Sequence, residues 1–365
     1  MSVPFLDLKA AYDELAPLAE PALLKSLRSG WYIGGPEVDA FERDFASHCD
    51  ATHGVGVANG LDALKLALIA VGVMPGDKVL VPSHTFVATW LAVSQCGAVP
   101  VPVEPDPVSY NITPEAVHAA MIPGVKAVVA VHLYGQPADV VGLNDAADAL
   151  GIALVEDAAQ AHGARWAGQR IGGHSKAVCW SFYPGKNLGA LGDAGAVTTS
   201  DPDVADRVRL LRNYGAREKY KHEMAGMNSR LDPVQAVYLS VKLTVLDDWN
   251  ARRRAVVDRY LEAFRGLDLV LPEVRQEAEP VWHLFVVRHK DRDGLADRLA
   301  KRGVQTLIHY PIAPHLQAAY ASMGLRREDL PLASQLADEV LSLPVGPHLS
   351  DTQVDAVIEA VRASA

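Results

Sequence analysis

Val155-Glu156-Asp157-Ala158-Ala159-Gln160-Ala161-His162-Gly163 places a carboxylate at the end of an apolar run, residues 152–156. A short apolar run of this kind reads as a buried strand. In a parallel α/β sheet the carboxyl end of a strand faces the ligand crevice, which puts Asp157 there. The same acid also suits the cap of a following helix. Working outward, strand-like and helix-like segments alternate. Residues 78–82, 99–103, 126–132, 177–183 and 194–199 read as further strands, and 62–73, 86–96 and 139–150 as helices. Such alternation predicts an α/β fold with a mostly parallel central sheet. The strands lack period-2 alternation, so the sheet is expected to be covered on both faces. Residues 232–265 read as one long helix. Strands near 283–288 and 305–310 and helices near 294–302, 330–342 and 351–363 then predict a smaller C-terminal α/β domain. The division is expected inside the long helix, giving a large domain over 1–250 and a small one over 251–365.

The 365 residues carry 34 Lys and Arg against 44 Asp and Glu, a net charge of −10. An acidic surface disfavours non-specific binding to nucleic acid or an anionic membrane, though a local site can still take an anion. No apolar run approaches the roughly 18 residues of a membrane span. The first 17 residues hold Asp7, Asp13 and Glu14 and lack a signal-peptide pattern. Cys49, Cys96 and Cys179 stand far apart with no CxxC pair. That usage fits a reducing cytoplasm and neither a disulfide framework nor a zinc site, so no metal is expected.

The second chemical segment is Ser181-Phe182-Tyr183-Pro184-Gly185-Lys186-Asn187-Leu188-Gly189. Here a lysine sits among turn residues after a strand rather than on a charged face. Held in a buried site, a lysine loses its proton readily and forms Schiff bases. Asp157 precedes it by 29 residues (186 − 157), and each follows a predicted strand. An acid and a lysine converging on one crevice are what pyridoxal 5'-phosphate (PLP) needs: the acid keeps the pyridine nitrogen protonated and the lysine carries the cofactor. Asn59-Gly60-Leu61-Asp62 opens a helix, where free N–H groups favour a phosphate. Phe86, in Ser83-His84-Thr85-Phe86, is available to stack on a ring; an ordinary core phenylalanine is the alternative.

These segments resemble the DegT/DnrJ/EryC1/StrS family of PLP-dependent sugar aminotransferases, of the aspartate aminotransferase-like fold type I. The similarity runs from Gly30-Trp31-Tyr32-Ile33-Gly34-Gly35-Pro36 through Asn59-Gly60, Glu156 to Gln160, Ser181 to Gly189 and Asn228-Ser229-Arg230, to His309-Tyr310-Pro311. The resemblance implies that Lys186 and Asp157 are catalytic. It implies that Gln160 bonds the ring hydroxyl oxygen, that Phe86 stacks on the ring and that Gly60, Leu61 and Ser181 hold the phosphate. It further implies a homodimer in which Asn228 of one subunit completes the other's phosphate site. At Leu61 many relatives carry a hydroxyl residue, so only its N–H can serve here. Some members are dehydratases with histidine at the lysine position; Lys186 favours transamination.

Arg207, Arg209, Arg212, Arg217, Lys219 and Lys221 fall within fifteen residues holding one acid, Glu218. Part of this run reads as a solvated helix face. Beyond Gly215 a basic, aromatic loop with Arg217, Lys219 and Tyr220 suits a nucleotide diphosphate. Residues 133–139 and 306–311 resemble enzymes that aminate C-3 of a dTDP-linked 3-keto-6-deoxyhexose; C-4 enzymes differ there. The resemblance implies L-glutamate as donor. Tyr183, His162, His309 and Tyr310 are candidates for the substrate pocket, although a lone histidine is more often a packed residue. A non-catalytic PLP-binding regulator is the rival from another class, with no added DNA-binding segment to support it.

Overall fold

Seven strands form the central sheet: β1 (His53–Val57), β2 (Lys78–Pro82), β3 (Val99–Val103), β4 (Val125–Val131), β5 (Ala153–Asp157), β6 (Ala177–Ser181) and β7 (Gly195–Thr199). The structure, a computed structural model, describes residues 2–365. The strand order is β1-β7-β6-β5-β4-β2-β3. Strand β7 runs antiparallel to both β1 and β6, and the other neighbours pair in parallel. Reversing direction twice across β7 leaves six of the seven strands pointing the same way. Val57, Pro82, Val131, Asp157 and Ser181 therefore all end at one edge. The loops leaving that edge hold most of the residues singled out above.

Helices cover both faces. On one side α3 (Gly60–Ala70), α4 (Val87–Gln95) and α7 (Pro202–Leu211) pack on Val55, Val79, Val129 and Val155. On the other, Phe41 and Phe45 of α2 (Pro36–His48) meet Trp180 and Phe182, and α8 (Pro233–Leu243) adds Ala236 and Leu239. The short α5 (Pro114–Ala119) and α6 (Val140–Leu150) close that face over Leu80, Val128 and Leu154. Each fully buried Val, Leu or Phe contributes about 1.5–3 kcal/mol, which is why near-continuous apolar strands occur here. Helix α1 (Leu8–Ser29) lies against α8 through Leu15, Ala19 and Tyr238. A separate core gathers α9 (Leu246–Ala263), α10 (Arg292–Lys301) and α12 (Asp351–Arg362) around β8 (Phe285–Arg288) and β9 (Val340–Leu343).

Three expected elements differ. The helix expected over 232–265 is two helices, α8 and α9. The Thr244 hydroxyl takes the Val241 carbonyl at 2.7 Å and ends α8. Helix α9 begins with Leu246 still in the sheet-side core and joins the C-terminal core from Val256 onward. The helix expected over 330–342 stops at Glu339 as α11 (Pro331–Glu339), and Val340–Leu343 becomes β9, paired antiparallel with β8. Residues 305–310 form no strand beyond one bridge, Leu307 to Ser342. Periodicity could not separate helix from strand in the short apolar stretch at 340–343.

Candidate active site

The site lies at the edge where β2, β4, β5 and β6 end. Asp157 terminates β5 and is buried. Its Oδ2 accepts from Thr89 Oγ1 at 2.9 Å and its Oδ1 from the Ala159 N–H at 3.2 Å. Burial raises its pKa, while these bonds and the Lys186 and His132 charges oppose the rise. Lys186 sits in the loop after β6, partly open to its crevice. Loss of water around the ammonium lowers its pKa to about 8, and Asp157 pulls the other way. Its backbone N–H bonds Tyr183 O at 2.8 Å, whereas its Nζ makes no hydrogen bond or ion pair among the described residues.

Gly60, Leu61 and Ser181 form a cradle beside this pair. Asn59 caps α3, its Oδ1 accepting from Asp62 N–H at 2.8 Å and its carbonyl from Ala63 N–H at 3.0 Å. The first-turn N–H groups of Gly60 and Leu61 thus stay free for an anion. A Cβ on Gly60 would stand 2.6 Å from the Ser181 Cβ, so only glycine leaves room there. Phe86, at the N-cap of α4, is 52% exposed despite its size. Its ring lies 5.3 Å from that of Tyr310, at 37°. Gln160 is buried; its Oε1 accepts from the Tyr134 N–H at 2.6 Å and its Nε2 donates to the Tyr310 hydroxyl at 3.0 Å.

Tyr134 ties the loops together, and its role was not visible in the sequence. Its hydroxyl donates to the His309 carbonyl, so His84 Nε2, 2.8 Å away, must be the donor to it. His309 Nδ1 meets Ser342 Oγ at 2.8 Å. Burial and the Lys186 charge hold His309 near pKa 4 and His283 well below the ordinary histidine range. Both rings are neutral at physiological pH. Thr89 and His283 lie in no motif, and Tyr134 stood only as one member of the stretch 133–139; their contacts reveal what each does.

Not every candidate joins this group. His162 has no exposed surface and lies between Trp180 and Phe182, with ring centroids at 5.3 and 5.6 Å. It packs behind the crevice and lines no substrate pocket, which corrects the expectation for it. Tyr183 is exposed in the Lys186 loop. Arg217, Lys219 and Tyr220 occupy an exposed hairpin, Ala216–Glu218 paired with Lys221–His222, and touch none of the residues around Lys186. Arg217 pairs with Asp206 and Glu223, and Lys219 lies 5.1 Å from the Tyr220 ring centroid. Asn228 is exposed on a backbone bridge to Asn213, while its neighbour Ser229 accepts the Ala58 N–H at 3.1 Å. No group of three or more metal-ligating side chains occurs among the described residues.

The residues fit PLP. A glycine-cleared cradle with free N–H groups, an exposed aromatic face, a buried carboxylate and an unpaired lysine meet at one sheet edge. Residues 16–362 match the DegT/DnrJ/EryC1/StrS aminotransferase family. The chain is 55% identical to the "erythromycin biosynthesis sensory transduction protein EryC1" of Saccharopolyspora erythraea, covering all of both chains. It is 52% identical to the "dTDP-3-amino-3,4,6-trideoxy-alpha-D-glucose transaminase" of Streptomyces venezuelae, over 99% of this chain and 95% of that one. It superposes on the crystal structure of Streptomyces venezuelae DesV in complex with a ketimine intermediate with a TM-score of 0.98, at 52% identity, over 99% of this chain and 98% of that one. A lysine–aspartate crevice of this build, on this sheet and with these relatives, makes the chain a PLP-dependent transaminase that belongs to the DegT/DnrJ/EryC1/StrS aminotransferase family.

Proposed function

We propose that the chain transfers an amino group from L-glutamate to C-3 of a dTDP-linked 3-keto-6-deoxyhexose, in deoxyamino-sugar biosynthesis. The unpaired Lys186 beside the buried Asp157 carries the transaminase reading. The Streptomyces venezuelae relative, a dTDP-3-amino-3,4,6-trideoxy-alpha-D-glucose transaminase, supports the substrate. A lysine at 186, rather than a histidine, favours transamination over dehydration.

When bound, PLP supplies an electron sink that stabilises negative charge at the carbon bearing the amine. Asp157 holds a proton on the pyridine nitrogen, and Thr89 and Ala159 keep that carboxylate ionised and aimed. Gly60, Leu61 and Ser181 would hold the phosphate, Phe86 would stack on the ring and Gln160 would bond the ring hydroxyl oxygen. Lys186 anchors the cofactor through Nζ. Its pKa near 8 leaves a working fraction of free amine near neutral pH. With the cofactor bound, the freed Nζ would be the group that takes the proton from the donor Cα and later returns it. The same movements in reverse aminate the keto-sugar. Tyr183, His309 and Tyr310 border the crevice where the sugar sits.

Asn228, exposed, reaches the phosphate site of a second copy in this reading, which makes the enzyme a homodimer with shared sites. The hairpin with Arg217, Lys219 and Tyr220 likewise serves the nucleotide diphosphate of the neighbouring site. We read residues 1–250 as the PLP-binding domain and 251–365 as the small domain, the separate core around α9 supporting the division. The net charge of −10 supports an enzyme without a nucleic-acid or membrane partner, and the three free cysteines support a cytoplasmic one.

Two half-reactions test the proposal. Holoenzyme mixed with L-glutamate alone should yield one equivalent of 2-oxoglutarate with loss of the cofactor's visible band. Adding the dTDP-3-keto-sugar should restore the band and release the 3-amino sugar. Restoration by a keto acid or a 4-keto sugar alone would overturn the substrate assignment.

A further inference from the structure

Lys242, on α8, is a second buried lysine, 4% exposed, and the reaction above makes no use of it. Its Nζ donates one hydrogen bond, to the Gly189 carbonyl at 3.1 Å. The Trp249 ring lies 5.4 Å from the ammonium. No carboxylate offsets its charge, and the neighbouring charged group is Arg253 of α9, of the same sign. Burial and Arg253 together lower its pKa to about 7. An apolar side chain would fill this space without the cost of burying an ion. The polar contact therefore has a task beyond packing.

The contact falls on the loop that carries Lys186. That loop closes on itself, Lys186 N–H bonding Tyr183 O and Ala190 N–H bonding Phe182 O, each at 2.8 Å. Gly189 packs so closely on Pro184 that a Cβ there would collide with the Pro184 carbonyl. On the near side, Asn187 Nδ2 donates to Asn250 Oδ1 and to the Val281 carbonyl, each at 2.9 Å. Two anchors follow Lys186 within three residues, Asn187 held from α9 and Gly189 held from α8, while its own Nζ has none. We infer that Lys242 is a positioning residue for Lys186: through the Gly189 carbonyl it fixes the loop that aims the Lys186 amine into the crevice. This rests on the catalytic role of Lys186 argued above.

Hydrogen exchange on the full-length holoenzyme, read peptide by peptide, tests it. Lys242→Met keeps the length and removes the donor. Exchange over residues 183–190 should rise at least about tenfold, a factor that corresponds to losing one hydrogen bond from a charged donor. Exchange over β4 should stay unchanged. In steady state kcat should fall by about the same factor, with KM for L-glutamate within about twofold. Lys242→Arg, which retains a charged donor, should restore protection. Wild-type exchange over 183–190 in Lys242→Met, or a rise shared equally by β4, overturns the inference. Should Lys242→Met fail to fold, Lys242→Gln, too short to reach Gly189, replaces it with the same two outcomes. The exchange readout does not depend on turnover, so failure of the assigned chemistry at Lys186 would leave it intact and show separately in Lys186→Ala.

Discussion

Thr89 Oγ1 donates a 2.9 Å hydrogen bond to Asp157 Oδ2, and both side chains are buried. The threonine comes from α4 and the aspartate from the end of β5, so only the folded sheet brings them together. Burial raises the Asp157 pKa, and this bond opposes the rise. Thr89→Val should therefore raise it further and move the acid limb of the kcat–pH profile upward. A hydrogen bond to a charged group is worth about 1.5–3 kcal/mol, so kcat should fall about 10- to 100-fold. An unmoved acid limb would remove Thr89 from this role.

Gly60→Ala places a methyl group 2.6 Å from the Ser181 Cβ, inside the cradle. Helix α3 or the end of β6 must then shift, spoiling the N–H geometry toward the phosphate. The PLP dissociation constant should rise about tenfold or more, equivalent to about 1.4 kcal/mol, in an absorbance titration. Thermal stability measured without cofactor should change much less than affinity.

Lys186→Ala should abolish covalent attachment of the cofactor. Borohydride treatment followed by mass spectrometry of the 183–190 peptide reads this directly. Turnover should fall on the order of 100- to 10,000-fold or more, as loss of a positioned proton carrier does. Without cofactor the Lys186 amine loses its proton as pH rises through about 8, so the rate of covalent cofactor attachment should rise over the same range.

Glu14 accepts hydrogen bonds from Arg252 at 2.9 and 3.0 Å, from Trp249 Nε1 at 3.1 Å and from His348 Nε2 at 2.9 Å. Arg252 above all lowers its pKa from 4.5 to about 2. The folded chain thus holds this carboxylate charged where the unfolded chain has already protonated it. The contribution to stability is complete above about pH 4.5 and disappears as pH falls through about 2. The site is partly exposed, so screening keeps the effect near ~1 kcal/mol. Denaturant unfolding of Glu14→Gln should show that loss at neutral pH and little difference at the acid end.

Arg217→Ala with Lys219→Ala should raise KM for the nucleotide sugar about tenfold or more while leaving the L-glutamate half-reaction unchanged. Asn228→Ala should speed PLP loss without changing sedimentation. Normal cofactor retention there would count against shared sites.

The α/β class, the parallel strands and the Asp157 and Lys186 segments were legible in the sequence. Apolar runs set the strands, and turn residues around Lys186 set the loop that follows one. Both are local properties of neighbouring residues, which is why a linear reading reaches them. The cradle also began locally, in a helix start at Gly60. Other features were decided only by packing. A threonine on α4, a tyrosine after β4 and a lysine on α8 look ordinary along the chain, and each acquires its role through one partner remote in sequence. His162 shows the converse. Its place in a motif suggested the pocket, yet the rings of Trp180 and Phe182 enclose it. The break at Thr244 and the strand at Val340–Leu343 likewise depended on which core each segment reached. Sequence alone determined which chemical groups end up at the sheet edge, because strand direction follows from alternation. Tertiary structure decided which of them touch, because burial, hydrogen-bond partners and shifted pKa values belong to pairs of residues and not to positions in the chain.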